Sequence, residues 1–135
     1  MTNPKIEYEE LTAGYEFTPT DFQLDEERVA AYLQAVGDDT RIYEENKIVP
    51  PMAIAALAMA ALSTGMVLPD GTIHVSQDLN FNEMANIGEG LTSYAKVNRK
   101  VERGKFHILT IGINVTNQKN TKVVTGETSF ILPLS

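Results

Sequence analysis

The chain has 135 residues, 43% of them apolar and 21% charged, with a formal net charge of −7. That length suits a single domain over residues 1–135 with a core of its own, and the apolar fraction argues against disorder. The lack of Cys excludes a disulfide framework and thiolate metal sites, and the acidic balance speaks against nucleic acid as a general partner.

The opening stretch MTNPKIEYEE has no apolar h-region, so no signal peptide is expected and a cytoplasmic location follows. The sequon at Asn114–Thr116 would then meet no glycosylating enzyme. Between Lys5 and Phe22, Ile6 and Tyr8 alternate with polar neighbours, while Gly14 and Pro19 interrupt; one or two short edge strands are predicted. Asp25 is a good N-cap, Glu26 and Glu27 suit the positive end of a helix dipole, and Val29, Leu33 and Val36 share one face. Gly37 offers the left-handed conformation that ends such a helix. Residues 38–49 then read as a turn and a short exposed segment.

Met52 to Leu62 reads MAIAALAMAAL, with no polar residue, opened by Pro50-Pro51 and closed by Ser63-Thr64-Gly65. Proline fits a first helical turn and Gly an end. A helix apolar on every side must be buried all round, and the run is too short to span a membrane. Its alanines let other backbones come close. Met52, Met59 and Met66 fill core, or equally line an acyl tunnel.

After Asp70-Gly71 the period becomes two: Ile73, Val75, Leu79 and Phe81; then Leu91, Ala95, Val97 and Val101; then Leu109, Ile111, Ile113 and Val115; and finally Val123 to Leu132. Glu102–Lys105 and Asn117–Lys122 look like hairpin turns, so the strands they join should be antiparallel neighbours. One buried helix followed by a long meander predicts an α+β domain whose curved sheet wraps that helix. His74 and His107 sit on separate strands without neighbouring ligands, so no metal site is expected and both read as ordinary sheet residues.

Charge is uneven. Residues 1–50 hold 12 acidic and 4 basic side chains, whereas residues 51–135 hold 6 and 7. Lys96, Arg99, Lys100, Arg103 and Lys105 fall within ten positions. A solvated hairpin explains them plainly; an anion patch for a nucleotide phosphate or an acidic carrier protein is the sharper reading.

The pattern Gly37-Asp38-Asp39, Ile42-Tyr43 and Val49-Pro50-Pro51, with weaker echoes at Phe81-Asn82-Glu83 and Gly88-Glu89-Gly90, resembles MaoC-like hydratases and dehydratases over nearly the whole chain. The resemblance implies a hot-dog fold, an acyl-CoA or acyl carrier protein (ACP) thioester as ligand, no other cofactor and no membrane. It also implies a homodimer, or a heterodimer with a catalytic hot-dog subunit. In catalytic members an Asp and a His five positions later share proton transfer; here Asp38 is present and Tyr43 holds the His place. Tyrosine, with an ordinary pKa near 10, is a poor base at neutral pH.

Backbone N–H groups at the central helix start would polarise the thioester carbonyl, yet Pro50 and Pro51 have none. GDD-x-x-IY with VPP is closest to the non-catalytic branch, which binds substrate beside an active partner. The expected site is Asp38 and Tyr43 for chemistry, Pro51, Met52 and Ala53 for the thioester, and Arg99 and Arg103 for phosphates. Asp38 and Asp39 equally suit simple turn formation after a helix-ending Gly. An active (R)-specific 2-enoyl-thioester hydratase or 3-hydroxyacyl-thioester dehydratase is the alternative. A hot-dog thioesterase ranks last, because Met52–Leu62 has no carboxylate.

Overall fold

In the computed structural model, which describes residues 5–133, the chain forms three helices and seven strands. The first four and last two residues of the predicted domain lie outside the described residues. Strand β1 (Ile6–Glu7) is followed by a 3-10 turn at Tyr8–Glu10, then by β2 (Thr20–Gln23) and α1 (Glu26–Ala35). The Asp25 carboxylate caps α1 by accepting the Arg28 N–H at 2.8 Å, and Gly37 turns the chain at φ 73°. Helix α2 (Ile42–Asn46) was not expected from sequence; it is a single short turn of helix ended by Lys47 in the left-handed region. Central helix α3 (Pro51–Thr64) begins at Pro51 and ends against Gly65. Then come β3 (Met66–Val67), β4 (Ile73–Phe81), β5 (Gly90–Arg103), β6 (Phe106–Asn117) and β7 (Lys122–Pro133).

Both predicted hairpins form, and β2, β5, β6, β7 and β4 make one five-stranded antiparallel sheet in that order. Strand β4 therefore is an edge beside β7, not the first rung of a meander beside β5. Strand β1 leaves the sheet to pair in parallel with β3. Gly126 allows β4 to lie this close to β7, since a Cβ there would run into the Asp78 carbonyl.

Two clusters fill the space between α3 and the sheet. Val49, Ala53, Ile54 and Ala58 meet Leu91, Ile113, Val115, Val123 and Val124 at the start of α3. Leu62 and Met66 meet Val97, Leu109, Ile111, Phe130 and Leu132 at its end, together with Tyr8 and Leu11. The sheet covers only one side of the helix. Ala53, Ile54, Ala55, Ala58 and Leu62 are buried, but Ala56 and Ala60 are exposed and Met52 is 50% exposed. Among the described residues, burial all round, expected from composition, is thus not achieved, and an apolar helix face remains uncovered.

Two bulges break the period-two reading. Between His74 and Ser76 the β4 register shifts, so His74 sits opposite Phe130 on the helix-facing side and Ile73 opposite Ile131 on the outer side. A second shift between Val97 and Arg99 turns Lys100 inward, opposite Leu109, and Val101 outward.

Candidate functional site

The segment after α1 is built by local hydrogen bonds. Asp38 N–H donates to the Leu33 carbonyl at 2.9 Å, and its carboxylate accepts the Thr40 N–H at 2.9 Å. This is the turn geometry that Asp forms after a helix-ending Gly, and it leaves the Asp38 side chain exposed. Asp39 is exposed as well.

From there α2 places Tyr43 half-buried against the cluster that contains Val49, Ala53 and Ile54. Two backbone bonds pin the linker into α3: Val49 N–H to the Ala85 carbonyl and Ile87 N–H to the Lys47 carbonyl, both 2.9 Å. Asp38, Tyr43 and the Pro51–Ala53 turn are thereby held at one end of the domain. The Ala53 N–H is taken by the Pro50 carbonyl at 3.0 Å, so Met52 offers the first unengaged amide of the helix.

The basic hairpin does not join them. Arg99 lies opposite Thr110 and Arg103 opposite Phe106, beyond the level of Val97 and Leu109, which pack on the far end of α3. Leu91, which packs beside Ala53, is eight residues along β5 from Arg99, or about 26 Å of strand. A pantetheine arm spans the equivalent of roughly five extended residues, about 17 Å. Arg99 and Arg103 of the same chain are thus remote from a thioester seated at Pro51–Ala53, at the limit of what the arm and an extended arginine side chain could bridge.

Lys100 leaves the patch altogether. Its ammonium donates to the Tyr8 and Leu11 carbonyls at 2.9 and 2.7 Å and lies 4.2 Å from the Tyr8 ring centroid. It ties the N-terminal strap to the sheet. Burial, with Glu102 and Glu9 adding to it, raises the Tyr8 pKa, so its hydroxyl stays protonated and shares a hydrogen bond with His107 Nδ1 at 2.8 Å. His107 is the tucked-in sheet residue that its neighbours predict.

His74 is different. Its side chain is exposed on the helix-facing side of the edge strand, its Nε2 is 2.5 Å from the hydroxyl of fully buried Thr128, and its ring lies 5.0 Å from that of Phe130. Phe130 also lines an apolar cavity of about 260 Å³ with Met59, Leu62, Ser63, Met66 and Leu68. Strict alternation with Ile73 and Val75 would put His74 on the same side as Ser76, and the bulge between them is the feature that sequence periodicity does not encode. No group of three or more His, Asp or Glu able to hold a metal occurs among the described residues. Nor is any described helix long and apolar enough to cross a membrane.

A curved antiparallel sheet on one apolar helix, preceded by an Asp-bearing turn at the helix start, defines a hot-dog domain of the MaoC-like dehydratase class. The family described as "FAS1-like, dehydratase domain region" matches residues 12–126, and the chain belongs to it. The structure is similar to the R-hydratase PhaJ1 from Pseudomonas aeruginosa in its unliganded form, with a TM-score of 0.80 and 24% identity over 97% of this chain and 88% of that one. It is also similar to the (R)-hydratase from A. caviae involved in PHA biosynthesis, with a TM-score of 0.75 and 23% identity over 92% and 98%. Against the HadBC (3R-hydroxyacyl-ACP dehydratase) complex from Mycobacterium tuberculosis the TM-score is 0.69, with 17% identity over 88% and 96%. At such identities the likeness establishes the fold. No curated protein matches the chain in sequence.

Proposed function

We propose that this MaoC-like domain binds an acyl thioester, on coenzyme A or an acyl carrier protein, and that alone it is at most a weak hydratase or dehydratase. The observation that supports this most is the uncovered apolar track on α3. It runs from Met52 past Ala56 and Ala60 to the cavity at Met59, Met66 and Phe130. An acyl chain entering beside Asp38 and Tyr43 would bury apolar surface on both sides. Weak chemistry follows from residue types: Tyr43 is a poor base, and the two prolines remove carbonyl-polarising donors.

The arginine pair tests where the carrier lies. Replacing Arg99 and Arg103 together by Ala is expected to leave crotonyl-CoA affinity within about two-fold at physiological salt, because charges beyond about 8 Å are screened. A ten-fold or larger loss, steep in salt, would place the phosphates on the β5–β6 hairpin after all.

The same track also belongs to an assembly. Among the described residues, edge strand β4 is unpaired on one side and exposes Ile73, Val75 and Phe81 by 44–59% of their areas, with Phe81 on the side of the bare α3 face. Such an edge is an association hazard unless it is paired. A second copy related by a two-fold axis would extend the sheet through β4 and cover both faces; a hot-dog sister chain could do the same. Sedimentation is expected to show at least a dimer at micromolar concentration. A stable 14.9 kDa monomer would mean that the covering chain is a different one.

A further inference from the structure

We propose that the imidazole absent at position 43 is supplied by His74 of a second copy, which makes His74 a catalytic residue for thioester hydration. This rests on the thioester and dimer readings above and adds a residue that neither assigns.

The argument is topological. Strand β4 runs from the C-terminal end of α3, where His74 lies opposite Phe130, to its N-terminal end, where Phe81 lies opposite Val124. Phe130 belongs to the cluster with Leu62 and Met66, and Val124 to the cluster with Val49 and Ala53. A two-fold axis that keeps both helices on one side of a continuous sheet must pair β4 with its copy antiparallel. That pairing exchanges ends. The second copy's His74 arrives on the helix-facing side, beside the end that holds Asp38, Tyr43 and Met52.

The side chain is prepared for such a role. Burial fixes the Thr128 hydroxyl, which in turn holds Nε2, and the Phe130 ring supports one face of the imidazole. Among the described residues Nδ1 has no hydrogen-bond partner. His107 offers no such nitrogen: Tyr8 engages Nδ1 and Glu102 lies 3.6 Å from Nε2. An oriented, exposed imidazole on an otherwise apolar approach is what the Asp38–Tyr43 end lacks.

In the step assigned to it, Nδ1 takes a proton from water as the water oxygen bonds to C3 of a 2-enoyl thioester. The C2–C3 π pair moves to C2, and the imidazolium returns a proton there. One water is consumed and nothing is oxidised or reduced.

The test uses the whole chain and crotonyl-CoA, with hydration and binding followed separately. His74→Gln is expected to lower the residual hydration rate about 10²-fold or more while binding and dimerisation persist. Thr128→Val, which frees the ring, should lower it less. Mixing then decides whether the residue acts across the dyad. His74→Gln and Asp38→Asn dimers are each inactive, but unfolded and refolded together they should recover about a quarter of the wild-type rate. Half of the dimers are then mixed, and each mixed dimer has one complete site. No recovery would overturn action across the interface. An unchanged rate in His74→Gln, or a wild type no faster than solvent despite binding, would overturn the inference and leave the thioester reading standing. Absence of binding would overturn both.

Discussion

In a His74→Gln background, replacing Tyr43 by His is expected to raise the crotonyl-CoA hydration rate by at least about 10²-fold, and adding Asp38→Asn should abolish the gain. General acid or base groups commonly contribute about 10² to 10⁴ in rate, and this substitution restores the Asp-plus-five-His spacing of catalytic relatives. The scaffold can accept it: Tyr43 is only half-buried, packs on the α3-start cluster and follows the Asp38 turn on the same short segment. The smaller imidazole reaches less far into the cluster, so its nitrogens sit nearer the open Asp38 side. A variant that folds, binds the thioester and stays inert would put the defect at Pro50 and Pro51, where the donors of the helix start are missing.

Ile54→Ala should have the largest effect on stability. Ile54 is 1% exposed and sits in the first turns of α3 among Val49, Leu91, Ile113, Val115 and Val124. Losing its buried methyl and methylene groups costs about 2–5 kcal/mol, because the β-sheet wall cannot collapse into the space. Chemical denaturation should show a lower midpoint at an unchanged slope. Ala56→Ser, on the bare face of the same helix, should stay within about 0.5 kcal/mol in a monomer and cost more in the assembled protein. A large loss for both would mean that α3 is enclosed on all sides by its own chain.

Periodicity and caps made most of the fold legible. Asp25 and Gly37 bound α1, Pro51 and Gly65 bound α3, and the Gly104 and Asn120 turns join the three long strands. The order of the sheet was not legible, because nothing local tells β4 to pair with β7 across some 50 residues rather than with β5. The bulges escaped for a related reason. An extra residue at Val75 or Asn98 is set by how strands curl around α3, and it reverses which neighbour faces the helix. Those two reversals moved His74 into the approach to the site and took Lys100 out of the basic patch.

Of the expected site residues, Asp38, Tyr43 and Pro51–Ala53 fall within one short stretch of sequence, and Tyr43 packs on the cluster that holds Ala53. Arg99 and Arg103 were grouped with them by charge alone, and the length of β5 separates them. The sequence also fixed no limit on burial of α3: an all-apolar helix requires a cover, but not one from its own chain.

The central claim is that the uncovered α3 track takes an acyl thioester, and calorimetric titration of the wild-type protein with crotonyl-CoA and octanoyl-CoA tests it most directly. Saturable binding at one thioester per chain is expected, tighter for the longer chain by about 0.8 kcal/mol for each added buried CH₂ until the cavity at Met59, Met66 and Phe130 is filled. Met52→Glu should weaken it by placing a carboxylate on the track. No saturable binding of either thioester, or binding indifferent to both chain length and Met52→Glu, would contradict the account.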